Sequence, residues 1–122
     1  MRPVYLLALS LMISSAAHAG IKQACSGKQS NSETYATCID IERKRAANTL
    51  RDLDPKIMQV MHADSKKSGN TNRLDAYRKS QVEHVRKRQN NCRQQDPIAR
   101  NICEGDMDNV QIRSLQKYLE EK

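Results

Sequence analysis

The stretch QVEHVRKRQNNC, Gln81 to Cys92, decides how this 122-residue chain is read. By composition it is a basic, solvated helix surface. Its spacing says otherwise. Taken with Leu74 and Tyr77 upstream, residues Gln81, His84, Val85, Arg88 and Cys92 fall on a stripe roughly 100° wide at 3.6 residues per turn, the width of a core-facing helix face. Three strongly polar side chains thus occupy positions expected to be apolar. Gln81, His84 and Arg88 are therefore either a binding or catalytic site or an internal brace.

Upstream, the chain opens MRPVYLLALSLMISSAAHAG. Arg2, an apolar run from Val4 to Ile13 and the small-x-small triplet Ala17-His18-Ala19 have the form of a secretory signal peptide over residues 1–19. The apolar run is too short for a stable membrane anchor. In IKQAC, Lys22 and Gln23 stand where a lipoprotein signal wants an apolar and a small residue. The expectation is a soluble periplasmic or secreted protein, cleaved near Ala19. Removing 19 of 122 residues leaves 103, one small domain over residues 20–122.

That domain has no Trp or Phe to build a core. It keeps Cys25, Cys38, Cys92 and Cys103, which in an exported chain of this size read as two disulfides. A four-thiolate zinc site is the competing reading, but no C-x-x-C pair occurs and no metal is expected. The formal charge is +7. Such an excess of Lys and Arg is compatible with an anionic partner. Export and the lack of interleaved aromatics argue against nucleic acid.

Strand signals are nearly absent, and helical spacing dominates. Ser30 with Glu33 has the form of a capping box for a short helix through Cys38. Ala46, Leu50, Leu53, Ile57, Val60 and Met61 mark a longer face, which Asp54-Pro55 either kinks or splits without changing direction. ADSKKSGNTN, Ala63 to Asn72, reads as the main loop, with the second helix running from about Asn72 to Cys92. Asp96-Pro97 reads as a turn, and Asp106 as the cap of a last helix with Met107, Val110, Leu115, Tyr118 and Leu119 on its packing face. The expected fold is all-α: a small antiparallel helical hairpin or bundle with a third, C-terminal helix, braced by two disulfides. Folding the hairpin about residue 66 places Cys38 near Cys92 and leaves Cys25 with Cys103. This pairing is preferred, with the two alternatives left open.

Gln81-x-x-His84-Val85-x-x-Arg88-x-x-x-Cys92 resembles the Q-x-x-W-[IV]-x-x-R-x-x-x-C segment of the LprI family, bacterial envelope proteins named for proposed lysozyme inhibition. Cys25 and Cys38 are similar to that family's first two cysteines in having 12 residues between them, with Glu33 in the acidic position. Ala46 and Leu50 fit its A-D-x-x-L-N motif, and Cys103 followed by a helix carrying Arg113 is similar to its closing segment. His84 stands for the family's tryptophan, Ala47 for its aspartate and Arg51 for its asparagine. The resemblance spans nearly all of residues 20–122 and implies an exported, disulfide-bonded helical domain.

Catalysis is not expected. Beyond the leader only His62 and His84 are present, without an H-E-x-x-H pair, a Gly-rich phosphate loop or a nucleophile elbow, and no cofactor is implied. The resemblance points to a protein partner, with lysozyme the named possibility and Glu104, Asp106 and Asp108 as an acidic patch that would offset the basic charge. The alternative is an envelope interaction module, such as an immunity protein or a stress-related binder of an acidic partner. There Arg43-Lys44-Arg45, Arg51 and Arg86-Lys87 would make the contact. Oligomeric state is left open. Gln81 and Arg88 are expected to brace the fold, with Arg88 reaching carbonyls or an acid such as Glu42.

Overall fold

The computed structural model describes residues 20–120; the leader expected over residues 1–19 lies outside them. Among the described residues there is no strand. A one-turn helix α1 (Ile21–Ala24) and a 3-10 turn (Ser26–Lys28) lead into three long helices: α2 (Ser32–Ser68), α3 (Asn72–Asn91) and α4 (Pro97–Glu120). The all-α architecture with two disulfides is the one expected. Its boundaries and connections differ from expectation in instructive ways.

Helix α2 is one continuous helix of 37 residues. Its cap is Asn31, one residue beyond the expected Ser30, whose side chain accepts the Thr34 N–H at 3.1 Å. Nothing breaks at Cys38, and Pro55 does not split it. Pro55 lacks an N–H for the carbonyl of Arg51, but both residues lie on the exposed face, where water can satisfy that oxygen. Leu53 and Ile57 meanwhile keep the inner face apolar. The expected loop from Ala63 shrinks to 69–71. Ser65 donates to the Met61 carbonyl at 3.0 Å, Lys66 and Lys67 suit the negative helix end, and Gly69 stops the helix with φ +78°, its N–H on the Ser65 carbonyl.

The last helix also starts earlier than expected. Asp96 accepts the Ala99 N–H at 2.9 Å and Pro97 takes the first helical position, so Asp96-Pro97 is a helix start rather than only a turn. Asp106 lies inside α4 and instead accepts the Ile21 N–H at 2.9 Å.

These two hidden helical segments overturn the preferred disulfide pairing. The bonds are Cys25–Cys38 and Cys92–Cys103. Folding of α1 and the 3-10 turn carries Cys25 back onto the first turns of α2. Starting α4 at Pro97 lays Cys103 against the end of α3, beside Cys92. Each cysteine thus has its partner close along the chain, at separations of 13 and 11 residues. Non-reducing tryptic mapping is expected to yield those two linked peptides. Replacing Cys92 and Cys103 together by Ser is expected to cost about 3 kcal/mol in urea unfolding, the entropy of a loop of this size. A cost near zero would show that the bridge constrains nothing.

The core is in two parts. Leu53, Ile57 and Met61 of α2, Leu74 and Tyr77 of α3 and Leu115 of α4 form one cluster, with Ile112, Tyr118 and Leu119 against it. Tyr77 and Tyr118 meet edge to face at 5.9 Å. The Tyr77 hydroxyl donates to Asp54, and burial, reinforced by that carboxylate, pushes the phenol above its usual range. The second cluster holds Ile21, Cys25 and Ile39, with Tyr35, Ile98 and Ile102. Along α4 the residues between Ile102 and Ile112 therefore separate two apolar layers. The polar side chains of the opening stretch face them.

Candidate functional site

Gln81, His84 and Arg88 follow one another at intervals of three and four residues on α3, one side chain per turn. Helix α4 runs antiparallel and presents Glu104, Asp108 and Gln111 at matching intervals. The pairs close in order. Gln111 Nε2 donates to Gln81 Oε1 at 2.9 Å and to Ser80 Oγ at 3.3 Å. His84 Nε2 lies 2.9 Å from Asp108 Oδ1. Arg88 grips Asp108 with two bonds, Nε to Oδ1 at 3.0 Å and Nη2 to Oδ2 at 3.2 Å, and its Nη1 lies 2.9 Å from Glu104. The Cys92–Cys103 bridge closes the ladder, with Met107 sulfur 3.7 Å from Cys92.

Asp108 is the centre. Its side chain is 3% exposed, yet it receives three hydrogen bonds, so burial leaves no lone charge. A carboxylate can only accept, so His84 must carry its proton on Nε2. The guanidinium fork matches the carboxylate, which a lysine ammonium in place of Arg88 would not. The three polar residues read from sequence are thus brought together with acids on α4. Arg88 does not reach Glu42, which pairs with Arg45 at 2.8 Å. Helix α4, begun ten residues earlier than expected, fills that side of α3 instead.

Three further expectations change. Val85 shares the stripe by spacing, yet it is 53% exposed, and Val110 is 57% exposed rather than part of a packing face. Glu104, Asp106 and Asp108 are not an outward acidic patch: the first and last hold Arg88, and Asp106 holds the Ile21 amide. The basic run of α2 is likewise engaged within its own helix. Arg43 and Lys44 share Asp40, at 2.9 and 2.8 Å, and hold its carboxyl below the usual range, Lys44 foremost. Arg51 approaches Asp52 at 3.6 Å. The partners that meet the stripe were present in sequence as the acids Glu104 and Asp108 and the amide Gln111, spaced like the residues they face. Placing them required knowing that α4 begins at Pro97.

Chemically the ladder is closed. A hollow of about 430 Å³ borders it between α3 and α4, with His84, Glu83, Lys87 and Met107 among its walls. His84 there has Asp108 on one nitrogen, but no described hydrogen bond joins it to a hydroxyl or thiol nucleophile. Among the described residues no group of three or more metal-ligating side chains converges, and no helix is long and apolar enough to cross a membrane.

Fold and site together define a class: a small helical domain stapled by two local disulfides, with the polar side chains between its last two helices paired with one another. No protein-family model, curated protein or solved structure matches the chain.

Proposed function

We propose that the protein is an exported binding module of the LprI kind, acting by surface contact with a protein partner rather than by catalysis. The observation that carries this reading is the saturation of Asp108: the buried titratable cluster is occupied with holding α3 to α4. Two disulfides make such a domain stiff, which lowers the entropy lost on binding. The resemblance of Gln81 to Cys92 and of the cysteine spacing points to lysozyme as the partner to test first. Purified mature protein is expected to lower muramidase turnover in proportion to its concentration, by formation of a stoichiometric complex. No inhibition at micromolar concentration, across lysozyme types and salt, would remove lysozyme from the proposal.

A second reading, an envelope module for an acidic partner, has a specific observation in its favour. Glu104, Asp106 and Asp108 are consumed inside the fold, whereas Arg78, Lys79 and Arg86 have no ion-pair partner among the described residues. Without Arg2 of the expected leader the net charge falls from +7 to about +6, which still slows association with a basic lysozyme and favours an acidic surface.

A further inference from the structure

Helix α3 turns one face to α4 and leaves another uncovered. On the uncovered face Val82 is 69% and Val85 53% exposed, one turn apart. They line a shallow hollow of about 450 Å³ with Gln81, Arg86 and Gln89, whose accessible wall is mainly apolar. Arg78 and Arg86 flank Val82 at one helical turn on either side, and Lys79 lies beside them, all exposed. Unlike Arg43, Lys44 and Arg45 of α2, these three cations have no carboxylate among the described residues. Nearby Glu83 lies about 100° around the helix from Val82, and Asp75 is held by the Thr71 hydroxyl at 2.9 Å.

We propose that this face of α3 is a docking surface for an acidic amphipathic helix of a partner protein, its apolar side chains seated over Val82 and Val85 and its carboxylates on Arg78, Lys79 and Arg86. This rests on the binding-module reading and assigns that module a surface and a partner chemistry. Charge complementarity selects the occupant. A purely anionic polymer would satisfy the cations but leave the valines wet. A membrane surface wants bulky aliphatic or aromatic side chains at its contact face, and two valines bury little in lipid. A helix with an apolar residue each turn and acids beside them, where Arg78, Lys79 and Arg86 stand, meets both demands.

The test begins with a displayed library of randomised helical peptides, selected against the whole mature protein with its disulfides intact. Selected peptides are expected to carry apolar residues one turn apart flanked by Asp or Glu. The tightest is then titrated against wild type and two variants, Val82→Asp with Val85→Asp, and Arg78→Glu with Arg86→Glu. Each variant is expected to weaken binding about tenfold or more while its thermal unfolding stays near wild type, because every altered side chain is exposed. Weakening of binding by replacing the peptide's Glu with Gln belongs to the same expectation.

Peptides without acidic flanks, or binding untouched by both variants, would overturn the proposal while leaving the module reading intact. Tighter binding to phosphatidylglycerol vesicles than to any peptide, lost in the same variants, would assign the face to a membrane instead. Polyglutamate binding as tightly as the selected peptide would reduce the face to charge alone and also overturn it. Failure to select any binder, together with no lysozyme inhibition, would count against both this surface and the module itself.

Discussion

Asp108→Ala is expected to destabilise the fold by about 3–5 kcal/mol, the range for removing one partner of a buried ion pair. The reason lies in what stays behind. Arg88 loses both bonds of its fork and keeps only Glu104, while His84 loses the acceptor of its Nε2 proton. Both side chains are mostly buried, at 26% and 11% exposure, so water replaces the lost partner only in part. Asp108→Asn is expected to cost less, since its carbonyl still accepts one or two of those bonds. Arg88→Ala should also be costly, leaving the carboxylate with His84 alone. The double variant should lie well short of the two single effects added together, because both report the same contact. Urea unfolding followed by circular dichroism measures all four. An Asp108→Ala cost within about 0.5 kcal/mol of zero, the scale of an ordinary surface substitution, would mean that the ladder is not a brace. Replacing His84, Arg88 and Asp108 together by apolar residues of similar volume asks a different question. Near-wild-type stability there would show that the polar layer specifies how α3 and α4 align rather than adding net stability.

The helical class was legible from period alone, because Leu53, Ile57 and Met61 recur at helical spacing and are all buried. The ladder between α3 and α4 was half legible. Polar residues on the core stripe of α3 announced that partners must exist, but spacing within one helix cannot say which helix supplies them. The errors share one cause. Gly20 to Gln29 reads as a short polar entry and Arg93 to Cys103 as a connection, yet Asn31, Asp96-Pro97 and tertiary contacts make helices next to them or within them. Once those segments coil, Cys25 falls on Cys38 and Cys103 on Cys92. Val85 failed for a complementary reason. Periodicity gives the direction of a side chain, but whether another element covers it depends on where neighbouring helices end. The same limit hid the role of Gly105, whose importance is visible only when a second segment is placed against it.

Gly105→Ala is expected to destabilise the fold by about 1–3 kcal/mol, the range for adding a methyl to a filled interior, although the same change in an exposed helix would gain up to about 1 kcal/mol. Gly105 is buried within α4, and a Cβ there would meet Ile21 Cδ1 at 1.8 Å and Ile21 Cγ1 at 3.3 Å, with the Arg43 backbone 3.4 Å away. The helix thus carries a notch, and the Ile21 side chain, 2% exposed, fills it. The Asp106 carboxylate fixes the same residue by its amide at 2.9 Å, and Cys25 is bonded to Cys38 four residues later. The Ile21 methyl would have to shift to make room, within the cluster that Ile21 shares with Cys25 and Ile39. The Ile21→Ala background separates this from any general intolerance of α4. It costs stability itself, but it empties the notch, and only ordinary contact with Arg43 remains. There Gly105→Ala should be neutral or stabilising, so the effect of one substitution changes sign with the residue opposite it. Hydrogen exchange at the Ile21 amide supplies a local readout: faster exchange in Gly105→Ala at unchanged protection of α3 would locate the damage at this junction. An equal loss in both backgrounds would place the need for glycine in the helix backbone rather than in the fit with Ile21.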